Sequence, residues 1–168
     1  MAEAVAKVAR RVNDMVNSGG HHLDLSDCAL RSFPVGLYLP TSSVADKIFS
    51  ISLANNELKS LTGKFFTVFK EVQELDLQGN LLHVLPHEIS LLCNLKTINL
   101  ARNKFETFPD ELTKILCIEN INLEGNEIKD IPVDTLNQLS RLLSVNLKLN
   151  PINKDASNLS SVKYKLDL

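Results

Sequence analysis

One twelve-residue pattern recurs along the chain and leaves little freedom in how it folds. It reads "LDLSDCALRSFP" from Leu23, "ISLANNELKSLT" from Ile51 and "LDLQGNLLHVLP" from Leu75. It returns as "INLARNKFETFP" from Ile98 and "INLEGNEIKDIP" from Ile121, and begins once more as "VNLKLNPI" from Val145. The six starts are 28, 24, 23, 23 and 24 residues apart. A fixed apolar template at such a period describes a stack of like units, each burying its apolar face against the next.

Each position of the template has a physical reason. Leu75 and Leu77 alternate with Asp76 and Gln78, as in a short strand with one buried face. The chain must then turn sharply, which leaves buried backbone groups without ladder partners. An asparagine amide both donates and accepts, so it can satisfy them, and a buried group left unsatisfied costs about 1–3 kcal/mol. Asn56, Asn80, Asn103, Asn126 and Asn150 therefore form a structural ladder with no catalytic role. Cys28 holds this position in the first repeat, where a thiol is a weak donor. After the turn, apolar residues follow at spacings of three: Phe66, Phe69 and Val72; Ile89, Leu92 and Leu95; Leu112, Ile115 and Ile118; Leu136, Leu139 and Leu142. That spacing suits short 3-10 or α turns packed on the core, and Pro86 fits the first position of such a turn.

With its LxxLxLxxNxLxxLP repeats and the "LPxxI" turn at Leu85-Pro86 to Ile89, the chain resembles the short intracellular leucine-rich-repeat proteins over essentially its full length. The resemblance implies an α/β fold, a curved leucine-rich-repeat solenoid with a concave parallel β-sheet and short helical or 3-10 turns on the convex side. It also implies a protein–protein interaction role, with no catalytic residues and no cofactor.

The organisation expected is a single domain in three parts. Residues 1–20 form an N-terminal capping helix, 21–153 the repeats, and 154–168 a C-terminal cap ending in an edge strand. Within residues 2–17, Val5, Val8, Val12 and Met15 make an apolar helical stripe, and Gly19-Gly20 ends the helix. The stripe lacks the large anchors of a membrane-surface helix. At the other end Leu159, Val162 and Tyr164 match LxxLxL, and the alternation continues through Leu166 and Leu168. Lys163, Lys165 and Asp167 would then protect an exposed edge. A strand there also closes the use of Leu166-Asp167-Leu168 as a free tail for strand addition to a PDZ-type domain. The long first spacing places an insertion around Pro40 to Ser43, read as a tolerated surface loop.

Binding is expected on the strand residues that alternate with the buried leucines. They fall in three columns: His22, Ser50, Glu74, Thr97, Asn120 and Ser144; Asp24, Ser52, Asp76, Asn99, Asn122 and Asn146; Ser26, Ala54, Gln78, Ala101, Glu124 and Lys148. The face is polar and mildly acidic, flanked by Phe49 and Leu143. The chain has no Trp, and no Tyr or Arg lies in these columns, although such residues dominate interface hot spots. Strands about 4.8 Å apart give a face on the order of 300 Å². A standard interface needs about 800 Å² per partner. A stable partner must therefore also use the loops after the ladder, with Arg31, Lys59, His83, Glu106 and Lys129, or the convex side.

Other functions find little support. A net charge of −2 gives no electrostatic footprint for nucleic acid, and no apolar run is long enough to span a bilayer. With 44% hydrophobic and 23% charged residues the chain is globular. The N-terminus lacks the apolar core of a signal peptide. Three scattered cysteines make no disulfide framework, which indicates a reducing compartment, the cytoplasm with the nucleus left open. Asn158-Leu159-Ser160 matches a glycosylation acceptor that has no meaning without secretion. In "HHLDLSDC" the two histidines point to opposite sides and Cys28 lies in the turn, so the four converging ligands of a zinc site are not expected. Cys93 and Cys117 are expected to be small buried hydrophobes without a partner base. The leading expectation is a non-catalytic scaffold or adaptor for a protein partner. The alternative is a regulatory subunit that inhibits or targets an enzyme, and an enzyme comes third.

Overall fold

A computed structural model describes residues 2–155 and 159–168 of the chain. Met1 and residues 156–158, among them Asn158 of the glycosylation-like triplet, lie outside the described residues. Seven three-residue strands form one parallel sheet in sequence order. They are β1 (His22–Asp24), β2 (Ser50–Ser52), β3 (Glu74–Asp76), β4 (Thr97–Asn99), β5 (Asn120–Asn122), β6 (Ser144–Asn146) and β7 (Lys165–Asp167). The register is uniform, so Leu23, Ile51, Leu75, Ile98, Ile121, Val145 and Leu166 align in one column across the sheet. The first six of these side chains are buried, as are Leu25, Leu53, Leu77, Leu100, Leu123 and Leu147 two residues on. Sheet order equals sequence order because each return segment spans one repeat only, the arrangement of a leucine-rich-repeat solenoid.

The return segments are helical. Helix α3 (Gly63–Val68) and helix α4 (Val133–Asn137) flank two 3-10 turns, at His87–Leu91 and Asp110–Lys114. The triplets at spacing three are buried throughout. Pro86 and Pro109 stand just outside their turns in extended conformation and are not the first helical residues. Their missing N–H still falls where no helical bond is made.

The front of the stack is covered by helix α1 (Ala2–Ser18), which buries Val8, Val12 and Met15. Val5, expected in the same stripe, is 69% exposed. The helix ends in a Schellman motif: Gly19 takes φ +66°, and the Gly19 and Gly20 N–H groups donate to the Val16 and Met15 carbonyls at 3.3 and 3.0 Å. The Pro40 insertion is structured and not a loose surface loop. It winds into helix α2 (Tyr38–Thr41), where Thr41 is fully buried and its Oγ1 donates to the Leu37 carbonyl at 2.6 Å. Beneath it Phe33, Tyr38, Phe65 and Phe69 pack ring on ring with centroids 5.1–6.1 Å apart. Such contacts add to what area burial alone supplies.

At the back, Leu166 and not Val162 takes the first inward position, paired with Val145. The inward parity of Tyr164, Leu166 and Leu168 is as expected, but the strand lies four residues further on. Residues 159–161 form a 3-10 turn in its place.

Candidate protein-interaction face

The asparagines tie each repeat to the one before it. Asn80 Oδ1 accepts from the Leu58 N–H at 3.0 Å, and Nδ2 donates to the Leu53 and Leu77 carbonyls at 2.9 and 3.1 Å. Asn103 does the same with Leu82, Leu77 and Leu100, and Asn126 with Phe105, Leu100 and Leu123. Asn56 accepts from both Cys28 and Leu30. Asn150, only partly buried near the end of the stack, bonds to Ile128, Leu123 and Leu147.

The geometry also accounts for Cys28. Among the described residues helix α1 and not a repeat stands before it, so an amide there would have no preceding repeat to serve. Arg11 of α1 instead donates to the Ser26 and Asp24 carbonyls at 2.8 and 3.3 Å, and approaches Cys28 Sγ at 3.7 Å.

The residue before each ladder position is in the left-handed region: Asp27, Asn55, Gly79, Arg102, Gly125 and Leu149, with φ between +53° and +70°. A left-handed residue reverses the strand so that the next side chain points inward.

On the sheet's outer face, the side chains that project between buried leucines are linked into a grid. In the middle column Asp24, Asp76, Asn99, Asn122 and Asn146 each accept from the backbone N–H two residues on, at 2.9–3.1 Å. Ser52 does so with Ala54 at 3.4 Å. These are Asx and Ser turns that help to close the strand. Lateral bonds run between repeats: His22 to Ser50 (2.8 Å), Asn99 to Gln78 (3.1 Å), Asn120 to Thr97 (3.4 Å), Ser144 to Asn120 (2.8 Å) and Asn146 to Glu124 (2.9 Å). Glu74 stays exposed, as does Lys148 apart from its backbone role. Ala54 and Ala101, expected on this face, are buried instead. A methyl group does not project past its longer neighbours. Asp24 is held below the usual carboxylate range. Partial burial pushes it up, but the Ser26 hydroxyl and N–H, then Arg11 and His22, outweigh that.

The leucine rich repeat family model matches residues 47–112. Leucine-rich repeat-containing protein 20 of Mus musculus is 54% identical over all 168 residues, covering 100% of this chain and 91% of that protein. The Homo sapiens protein of the same name is 53% identical with the same coverage. The chain belongs to the leucine-rich repeat family. A solved structure of a leucine-rich repeat protein from Leptospira interrogans superposes with a TM-score of 0.70 at 27% identity. The match covers 83% of this chain and 34% of that one, so the chain spans about a third of that protein's length. Membership of the leucine-rich repeat family indicates a protein-interaction module.

Two further places bear on that role. Lys59, His83 and Glu106, from the loops after the ladder, line an open groove of about 590 Å³ with Leu81, Lys104 and Thr107. Arg31 pairs with Glu57 at 3.1 Å, and Lys129 is exposed. On the convex side Cys93 is exposed and Cys117 half-buried, against the expectation that both are core. The inward positions belong to Leu92, Leu95, Ile115 and Ile118, so the thiols fall beside the core and not in it. Cys117 Sγ donates to the Cys93 and Leu95 carbonyls at 2.6 and 3.1 Å, and burial pushes its thiol up. His21 bonds to the Lys47 carbonyl at 2.8 Å and stacks on Phe49. Among the described residues no helix is long and apolar enough to cross a membrane.

Proposed function

We propose that the protein is a non-catalytic scaffold or adaptor that binds a protein partner through the concave face and the loops beside it. The residues concerned are Asp24, Ser52, Glu74, Asp76, Gln78, Thr97, Asn99, Asn120, Asn122, Glu124, Asn146 and Lys148. The observation that carries this reading is the hydrogen-bonded grid. Side chains already held by their neighbours lose little freedom when a partner docks, and ordering an interface side chain otherwise costs about 0.5–1.5 kcal/mol. A preorganised face compensates in part for its small area. The groove between Lys59 and Glu106 adjoins the ladder and extends the contact. The cytoplasm is the compartment this reading assigns.

Proximity labelling in cells tests the proposal. One bait is wild type and the other carries Glu74→Lys and Glu124→Lys. Asp76 is left intact because its carboxylate closes a turn on the Gln78 N–H. Neighbours lost only from the variant, with its thermal stability retained, support binding on this face. An unchanged set of neighbours refutes it.

A further inference from the structure

The two ends of the sheet are finished differently. At the front, one carbonyl of β1 and two of the turn after it are occupied by side chains of α1: Asp24 and Ser26 accept from Arg11, and Asp27 accepts from Lys7 at 2.7 Å. At the back, β7 pairs with β6 only. Lys165 N–H donates to the Leu143 carbonyl and the Asp167 carbonyl accepts from Leu147, at 2.9 and 2.7 Å. Alternate residues of a strand present their backbone groups to opposite sides. The Leu166 N–H and C=O, with those of Tyr164 and Leu168 in the same parity, therefore face away from the sheet. Among the described residues no strand follows.

We infer that this edge pairs with the β7 edge of a second copy, antiparallel about a two-fold axis at Leu166, to give one continuous sheet. The sequence of the edge selects that partner and that direction. Lys165 and Asp167 project on the same face, where they lie 3.7 Å apart. Antiparallel pairing centred on Leu166 sets Lys165 opposite Asp167 of the second copy, and Asp167 opposite its Lys165. Parallel pairing in register sets lysine against lysine and aspartate against aspartate, which repel. The two Leu166 residues exchange both backbone bonds, the close pattern of an antiparallel ladder, and a two-fold contact closes without growing into a filament. On the inner side Leu166, half-buried, meets its counterpart, and Leu168, 38% exposed, lies opposite Tyr164 of the second copy. The inference stands independently of the concave-face reading, although pairing would also join two concave faces end to end.

Sedimentation equilibrium of the full chain decides it. Wild type is expected to show a concentration-dependent monomer–dimer equilibrium. Lys165→Asp and Asp167→Lys should each weaken dimerisation by about tenfold or more. The swapped variant K165D/D167K regains complementary pairs and should return to near wild-type affinity. Amide exchange at Leu166 gives a readout that needs no variant: its protection should rise with protein concentration. A wild type that stays monomeric up to about 1 mM, the weak end of the affinity range, overturns the inference. So does a dimer that both single variants leave unchanged, or a Leu166 amide whose exchange ignores concentration.

Discussion

At the residue scale, the asparagine ladder and the outer grid are both polar, yet they differ in what replaces them when they are lost. Asn103 serves the Leu82 N–H and the Leu77, Leu100 and Ala101 groups at once, in a place water does not reach. Asn103→Ala leaves these groups unpaired and should lower unfolding free energy by about 3 kcal/mol. Glu74 is exposed and takes part in no turn, so Glu74→Lys should change it by no more than about 0.5 kcal/mol. Urea titrations of the two variants check this, and equal midpoints would reverse the assignment of inside and outside. The ladder was legible in the sequence because one residue type returns at one period. The turn-closing role of the middle column was not. Asp76, Asn99 and Ser52 each accept from a backbone N–H, so the column varies and reads as ordinary surface.

At the scale of the element, the turn after each strand needs a left-handed residue, and only two of the six positions hold glycine. Gly79-Asn80 announces the reversal in the sequence, whereas Arg102 and Leu149 conceal it, since nothing in their chemistry favours that conformation. Leu149 has φ +58° and is 78% exposed, so its side chain gives little packing in return. Leu149→Gly relieves the backbone and should stabilise the protein by about 0.5–1 kcal/mol, net of the entropy glycine adds to the unfolded chain. A lowered melting temperature would contradict the turn geometry. Elsewhere the spacing-of-three rule located the buried return residues, whereas Cys93 and Cys117, expected to be buried because cysteine behaves as a small hydrophobe, are exposed and half-buried. Both follow a 3-10 turn and stand beside inward residues, and a cysteine looks the same in either place. The last strand was offset for a related reason: Leu159, Val162 and Tyr164 satisfy the template in letters, while register with Val145 belongs to Leu166.

At the scale of the whole molecule, no repeat can stand alone. The inward leucines belong to one continuous buried cluster, and every ladder amide from Asn56 to Asn150 bonds across a repeat boundary. Stability of such a stack resides in its interfaces more than in its units, so damage at one end should be felt at the other. We propose on this ground that the chain is a single domain of front cap, repeats and back cap. Met15, buried at the front, supplies the test. Met15→Ala should cost about 2–3 kcal/mol, the lower part of the range for buried methionine because the site borders the surface. If the chain unfolds as one unit, amide exchange in β2 and in β5 should report the same free energy in wild type, and both should fall by the same amount in the variant. A loss confined to β2 would divide the solenoid into a front part and a back part that unfold separately.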